Sequence, residues 1–167
     1  GAINAAPGVV HRAFNLNWHK VALAEELARM INKPIKVSND ANVAALGETM
    51  FGVGRMYTDT VFLTLGTGVG GGIVLGGKLY EGNESKGAEL GHMVLVVDGE
   101  PCSCGRNGCM EAYCSASALI RETKKAMLAD KNSAMWKFSP TLDDVDGRTA
   151  FECSKAGDRS ANAVVDY

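Results

Sequence analysis

Residues 60–80 read Thr60-Val61-Phe62-Leu63-Thr64-Leu65-Gly66-Thr67-Gly68-Val69-Gly70-Gly71-Gly72-Ile73-Val74-Leu75-Gly76-Gly77-Lys78-Leu79-Tyr80. The run Thr60 to Leu65 is β-branched, aromatic and apolar, which predicts a buried strand. Ile73-Val74-Leu75 predicts a second strand, and Gly76-Gly77 a hairpin turn before Lys78-Leu79-Tyr80. Between the first two strands lies a glycine run. Glycine lets backbone approach a ligand closely and tolerates positive φ, and consecutive N–H groups in such a turn form a concavity for phosphate oxygens. Thr67 adds a hydroxyl. No Gly-Lys-Ser/Thr follows, so this is not a Walker loop, and a strand rather than a helix comes next, so it is not a dinucleotide fingerprint. The plain alternative is a tight hairpin whose glycines serve twist alone.

Upstream, residues 1–19 read as loop and short strand. From Lys20 to Ile31, apolar Val21, Leu23, Ala24, Leu27, Ala28 and Ile31 recur at helical spacing. Asn32 and Pro34 end that helix. Ile35 to Ser38 predicts a short strand, and Ala41 to Met50 a helix entered through Asn39 or Asp40 as cap. The alanines of that helix predict close packing against another element. A lobe junction falls near Asn39-Asp40. Downstream, residues 81–110 form a loop-rich insertion, and a helix is expected from Glu111 to about Ala129. Asp130 to Gly147 reads as linker plus turn, and Thr149 to Val165 as a helix or two broken near Gly157-Asp158.

The bulk properties exclude several classes. The 167 residues carry a net charge of −2, with 46% apolar and 22% charged residues, so no electrostatic case exists for nucleic acid or an anionic membrane as partner. No apolar run reaches the ~18–20 residues of a membrane helix, and no signal-peptide pattern opens the chain. Five cysteines, at 102, 104, 109, 114 and 153, argue by odd count and crowding against a secreted disulfide framework, and a reducing cytoplasm is the natural compartment.

The crowded cysteines form a pattern with a histidine: His92, then Cys102-Ser103-Cys104, then Cys109. Three thiolates and an imidazole make a closed tetrahedral site of the structural-zinc type, with no open position for catalysis. Gly105 and Gly108 supply the turns. Free thiols beside an unrelated histidine are the alternative. Cys114 and Cys153 fall outside the pattern and are expected in the core; His11 and His19 are expected at the surface or in structural roles. Three carboxylates stand near these features: Asp40 at a strand-to-helix transition, Glu89 before His92, and Glu111 after Cys109. Each alone reads as a surface group. Yet phosphoryl transfer to a hydroxyl needs a carboxylate to take the proton, and Asn39 offers donor and acceptor to a polyhydroxylated ligand. A metal fixing His92 and Cys109 would also hold Glu89 and Glu111.

Four ordered motifs carry a resemblance: Ser38-Asn39-Asp40-Ala41-Asn42-Val43-Ala44-Ala45-Leu46-Gly47-Glu48; Leu65 to Val74; Glu89-Leu90-Gly91-His92; and Cys102 through Ser115. Together they closely resemble the ROK family of sugar kinases and repressors, over roughly residues 1–125 and more loosely in the tail. The resemblance implies an α/β, actin-like ATPase (sugar kinase) fold, present in part, with a zinc-stabilised loop at 89–111. Residues 1–38 would close the N-terminal lobe and supply the interlobe helix, and residues 39–167 would belong to the C-terminal lobe. It implies ATP-dependent phosphorylation of a hexose, with glucose as the expected acceptor and ATP with Mg2+ as co-substrate. Asp40 maps to the catalytic base on the sugar 6-hydroxyl. Asn39, Glu89, His92 and Glu111 map to sugar contacts. Gly66, Thr67 and Gly68 map to the phosphates, and His92, Cys102, Cys104 and Cys109 to structural zinc. Homodimers or homotetramers are common in the family. Asn15 to Trp18 matches a family segment with no assigned role.

Two departures bear on what this chain does alone. The family's Asp-x-Gly-Gly-Thr phosphate loop does not occur in it, nor does the later glycine-rich adenosine segment. The expectation is therefore a zinc- and sugar-binding part of a kinase with little capacity to position ATP. A sugar-responsive regulator of the same family is the alternative, and a non-catalytic sugar- or zinc-binding fragment is a third reading.

Overall fold

In a computed structural model of the chain, residues 2–4, 8–13, 16–83 and 87–167 are described. They divide into two compact units, one of residues 1–64 and 70–90, the other of residues 65–69 and 91–167.

The first unit opens with an antiparallel sheet of β1 (Ala2–Asn4), β2 (Val9–Ala13) and β3 (Trp18–Val21), in which Val10 faces Val21 and Arg12 faces His19. The helix α1 runs from Leu23 to Ile31. The sequence places its start at Lys20, but Trp18–Val21 pairs with β2 instead. Ladder hydrogen bonds and the burial of Trp18 and Val21 around Val10 outweigh helical periodicity there. Asn32, at φ 48, ends the helix in the left-handed region, and its N–H bonds to the Ala28 carbonyl. Ile35 to Ser38 is not a strand. Val37 is buried in the same small core with Ile35 against it, so the apolar signal reflected packing without a ladder.

The helix α2 (Asp40–Phe51) follows, and next comes a second antiparallel sheet of β4 (Thr60–Leu65), β5 (Val69–Leu75) and β6 (Lys78–Leu79). Gly76 and Gly77, at φ 56 and 72, make the second turn. The alanines of α2 do pack closely. Ala41 and Ala45 lie directly over β5, where a Cβ built on Gly70 would stand 2.9 Å from the Ala41 Cβ and one on Gly72 would collide with Ala45. Two of the glycines therefore serve helix-on-sheet contact. Gly72→Val is expected to destabilise the chain by about 1–3 kcal/mol through overpacking, read as a lower urea midpoint at unchanged slope; an unchanged midpoint would contradict this packing.

The second unit is helical beyond its loop. Its helices are α3 (Glu111–Cys114), α4 (Ala116–Ala129), α5 (Met135–Phe138), α6 (Thr149–Lys155) and α7 (Arg159–Val165). The single helix expected over 111–129 breaks at Ser115, which is extended (φ −90, ψ 161) and caps α4 by accepting the Ala118 N–H. The expected linker at 130–147 belongs to the core: Met135 is fully buried and joins Met127, Val145, Ala150, Cys153, Ala161 and Val164. Trp136 donates from its indole to the Met127 carbonyl at 2.9 Å, which ties α5 to α4. Asp158 accepts from Ala161 N at 2.8 Å, capping α7, and from Ala134 N at 2.6 Å. Burial pushes the Asp158 carboxyl up, but these backbone donors and the Ser133 hydroxyl outweigh it and hold the group below the usual carboxylate range. Cys153 is buried as expected, whereas Cys114 is exposed at the surface. His11 and His19 are exposed. Among the described residues no helix is long and apolar enough to cross a membrane.

Candidate functional site

In the first unit, Asn39 and Asp40 begin α2. Asn39 is extended (φ −63, ψ 145), and its Oδ1 accepts the N–H groups of Ala41 at 2.9 Å and Asn42 at 3.3 Å. The cap is thus Asn39, and its acceptor is occupied by the helix end, which leaves the amide N–H pair as the part available to a ligand. Asp40, at the first helical position, is exposed. A carboxylate there is favoured by the positive end of the helix. Asn42 is buried, and its Oδ1 has no partner among the described residues. Ser38 donates to Glu81 at 3.1 Å just before the cap. Glu89 is exposed.

In the second unit, His92, Cys102, Cys104 and Cys109 converge, with their ligating atoms all within 4.8 Å of one another. Short bridges join Val94 to Cys109 and Pro101 to Asn107. The turns use Gly105 at φ 88 and Gly108 at φ 79, and a Cβ on Gly108 would also collide with the Val96 carbonyl. The Arg106 backbone N–H and guanidinium pull the Cys104 thiol down to about 6, whereas burial pushes Cys109 up to about 11. The two thiols, 3.7 Å apart, thus occupy opposite electrostatic settings. A site that collects one ready thiolate and a buried partner is suited to a thiophilic cation, which removes the remaining protons as it binds.

Glu111 stands beside this cluster. Its Oε1 accepts from Ser103 Oγ at 2.8 Å and its Oε2 from Val69 N at 3.0 Å. Burial acts to raise its pKa, but these two donors prevail and hold it below the usual carboxylate range. The hairpin tip is tied to the start of α4: Ala116 N donates to the Gly66 carbonyl at 2.8 Å and Ser117 Oγ to the Thr67 carbonyl at 2.7 Å. Gly66 N–H closes on the Gly68 carbonyl at 3.0 Å, so it faces across the tip. Thr67, Gly68, Cys102, Ser103, Glu111 and Ser117 line one cleft of about 370 Å³. Three residues in these arrangements, Ser103, Arg106 and Ser117, escaped the sequence reading. Only Ser117 carried a local signal, by falling just inside the helix that Ser115 caps.

The model of the ROK family matches residues 1–167. The chain belongs to the ROK family. It is 40% identical over 167 residues to the glucokinase of Thermotoga maritima, covering 99% of this chain and 53% of that relative. It is 32% identical over 167 residues to the xylose repressor of Caldicellulosiruptor bescii, covering 99% of this chain and 41% of the repressor. Among solved structures, the ROK glucokinase of Streptomyces griseus, in complex with glucose and AMPPNP, superposes with a TM-score of 0.82 at 36% identity, over 98% of this chain and 54% of that one. The α/β fold is therefore that of ROK sugar kinases. The chain spans about half the length of the curated glucokinases that it matches end to end.

Proposed function

We propose that the chain supplies the acceptor side of an ATP-dependent hexose kinase, with glucose as the preferred acceptor. The observation that carries this reading is the start of α2. Asn39 caps the helix with its carbonyl oxygen, and the next residue, Asp40, is an exposed carboxylate. In this reading Asp40 accepts the proton of the sugar 6-hydroxyl as its oxygen attacks the terminal phosphorus of ATP-Mg2+. Asn39, Glu89, His92 and Glu111 bind sugar hydroxyls, and Gly66, Thr67 and Gly68 contact the phosphates. The lobe junction lies between residues 38 and 39. A homodimer or homotetramer in the cytoplasm is the expected setting.

Zinc is the ion proposed for the four-ligand cluster. A zinc-centred tetrahedron has edges of ~3.8 Å between sulfurs and ~3.6 Å between sulfur and imidazole nitrogen. The cluster has 3.7 Å for Cys104–Cys109 and 3.6 Å for Cys102 Sγ to His92 Nδ1. With four protein ligands the ion would be structural, fixing the loop that carries Ser103 and Glu111. His92 bound through Nδ1 would leave Nε2 to donate to a sugar oxygen.

The resemblance to xylose repressors supports a second reading, a sugar-responsive regulator. The two separate in one experiment on a full-length protein carrying this segment: a hexose panel with ATP, followed through sugar-phosphate formation, beside binding to its own upstream DNA. Hexose phosphorylation with glucose as best acceptor is expected. Sugar binding without turnover, together with specific DNA binding, would overturn the kinase in favour of the regulator.

A further inference from the structure

The loop from Met93 to Met110 contains one basic residue, Arg106, and that residue touches the ligand set in more than one place. Its carbonyl accepts the Cys102 N–H at 2.9 Å. Its guanidinium donates through Nη2 to the main-chain carbonyl of His92 at 2.8 Å, across fourteen positions of chain. The positive charge of the same guanidinium acts on the cysteine sulfurs of the cluster. Two of the four ligands, His92 and Cys102, are thus joined by one side chain and its own peptide group. Charge points the same way. Three thiolates around a divalent ion leave one surplus negative charge, and arginine carries a positive charge at any working pH, in a planar fork that serves two acceptors at once.

We infer that Arg106 is a positioning residue for the metal: it latches the His92 segment onto the cysteine loop and balances the charge of the occupied Cys3His centre. The inference rests on the metal reading of the cluster. Within that reading it separates two tasks. The cysteines, all within eight positions, are brought together by local turns. The imidazole comes from a separate segment, which the Val94–Cys109 bridge and the Met110 N–H on the Met93 carbonyl already join to the loop next door, and Arg106 adds a side-chain hold on the His92 peptide itself. Without that hold, the loop keeps its thiolates and its backbone bridges but must finish ordering His92 at the cost of binding.

The test is a titration of the 167-residue chain with Co2+ alone, in wild type, Arg106→Gln and Arg106→Lys, read by visible absorption and by competition with Zn2+. Wild type is expected to show a tetrahedral spectrum with thiolate charge-transfer bands. Arg106→Gln should bind about ten- to a hundred-fold more weakly, with full thiolate intensity at saturation. Arg106→Lys should fall between them, and added salt should narrow the gap between the lysine and glutamine variants, because the shared difference is charge. Equal affinity in wild type and Arg106→Gln would overturn the inference while leaving the metal site standing. Equal weakening by glutamine and lysine, with loss of thiolate intensity, would overturn it too, since that is the mark of a merely misfolded loop. A wild-type chain that takes up no Co2+ overturns the metal reading itself.

Discussion

Asp40→Asn, in a full-length protein carrying this segment, should lower kcat by about 10²- to 10⁴-fold, the range a positioned general base contributes. The hexose KM should stay within about three-fold. Asparagine keeps the size of the side chain and can still hydrogen-bond a hydroxyl, so ground-state binding survives, but its amide cannot accept a proton. The cap is a separate residue: Asn39 accepts from Ala41 and Asn42 whatever stands at position 40. Helix α2 should therefore persist, losing only the modest attraction between a carboxylate and the helix N-terminus. Turnover equal to wild type would refute the base assignment. A rise in KM with kcat unchanged would make Asp40 a binding group instead.

Cys104→Ser is expected to have the next largest effect. Serine offers a hard, protonated oxygen where the site needs a soft thiolate, so bound zinc should fall from about one equivalent to near zero by elemental analysis. Without the ion, the loop is closed only by its short bridges and turns, and cleavage by protease within residues 93–110 should accelerate. Ser103 sits beside Cys104 and holds the Glu111 carboxylate, so the sugar concentration needed for half-maximal rate should rise while Asp40 is untouched. Cys114→Ser is the control. That thiol is exposed and outside the cluster, and its loss should change neither metal content nor protease sensitivity. Full zinc content in Cys104→Ser would contradict the ligand assignment.

Much of this was readable along the chain, and the residues show why. The bounds of the strand Thr60–Leu65 matched to the residue, because a run of β-branched and aromatic side chains bounded by glycine has few alternatives. The expected burial did not match: Val61, Leu63 and Leu65 are exposed, since composition marks a strand without saying what covers its faces. Helix α2 was placed within a residue at each end, since Asn-Asp is a strong cap signal. The cysteine–histidine spacing led directly to four side chains that do converge. The failures share a cause. Helical periodicity from Lys20 was overridden by pairing with β2, a partner about ten positions away. The polar run Asp130 to Gly147 hid Met135 and Val145, whose burial depends on α6 and α7 arriving later in the chain. The helix over 111–129 was cut at Ser115, which can accept a backbone hydrogen bond either way and takes the one that tertiary packing makes available.

The sequence by itself determined the family, the chemistry of the ligands, and the identity of the proposed base, because each depends on residue type at short spacing. Only the tertiary structure decided how these groups are held. It showed that glycines 70 and 72 make room for Ala41 and Ala45, that Val69 N–H and Ser103 aim the Glu111 carboxylate, and that Arg106 reaches back to His92. Those contacts join positions up to 42 residues apart. A hydrogen bond or a close approach across that distance depends on the folded path of the chain, and no local pattern encodes it.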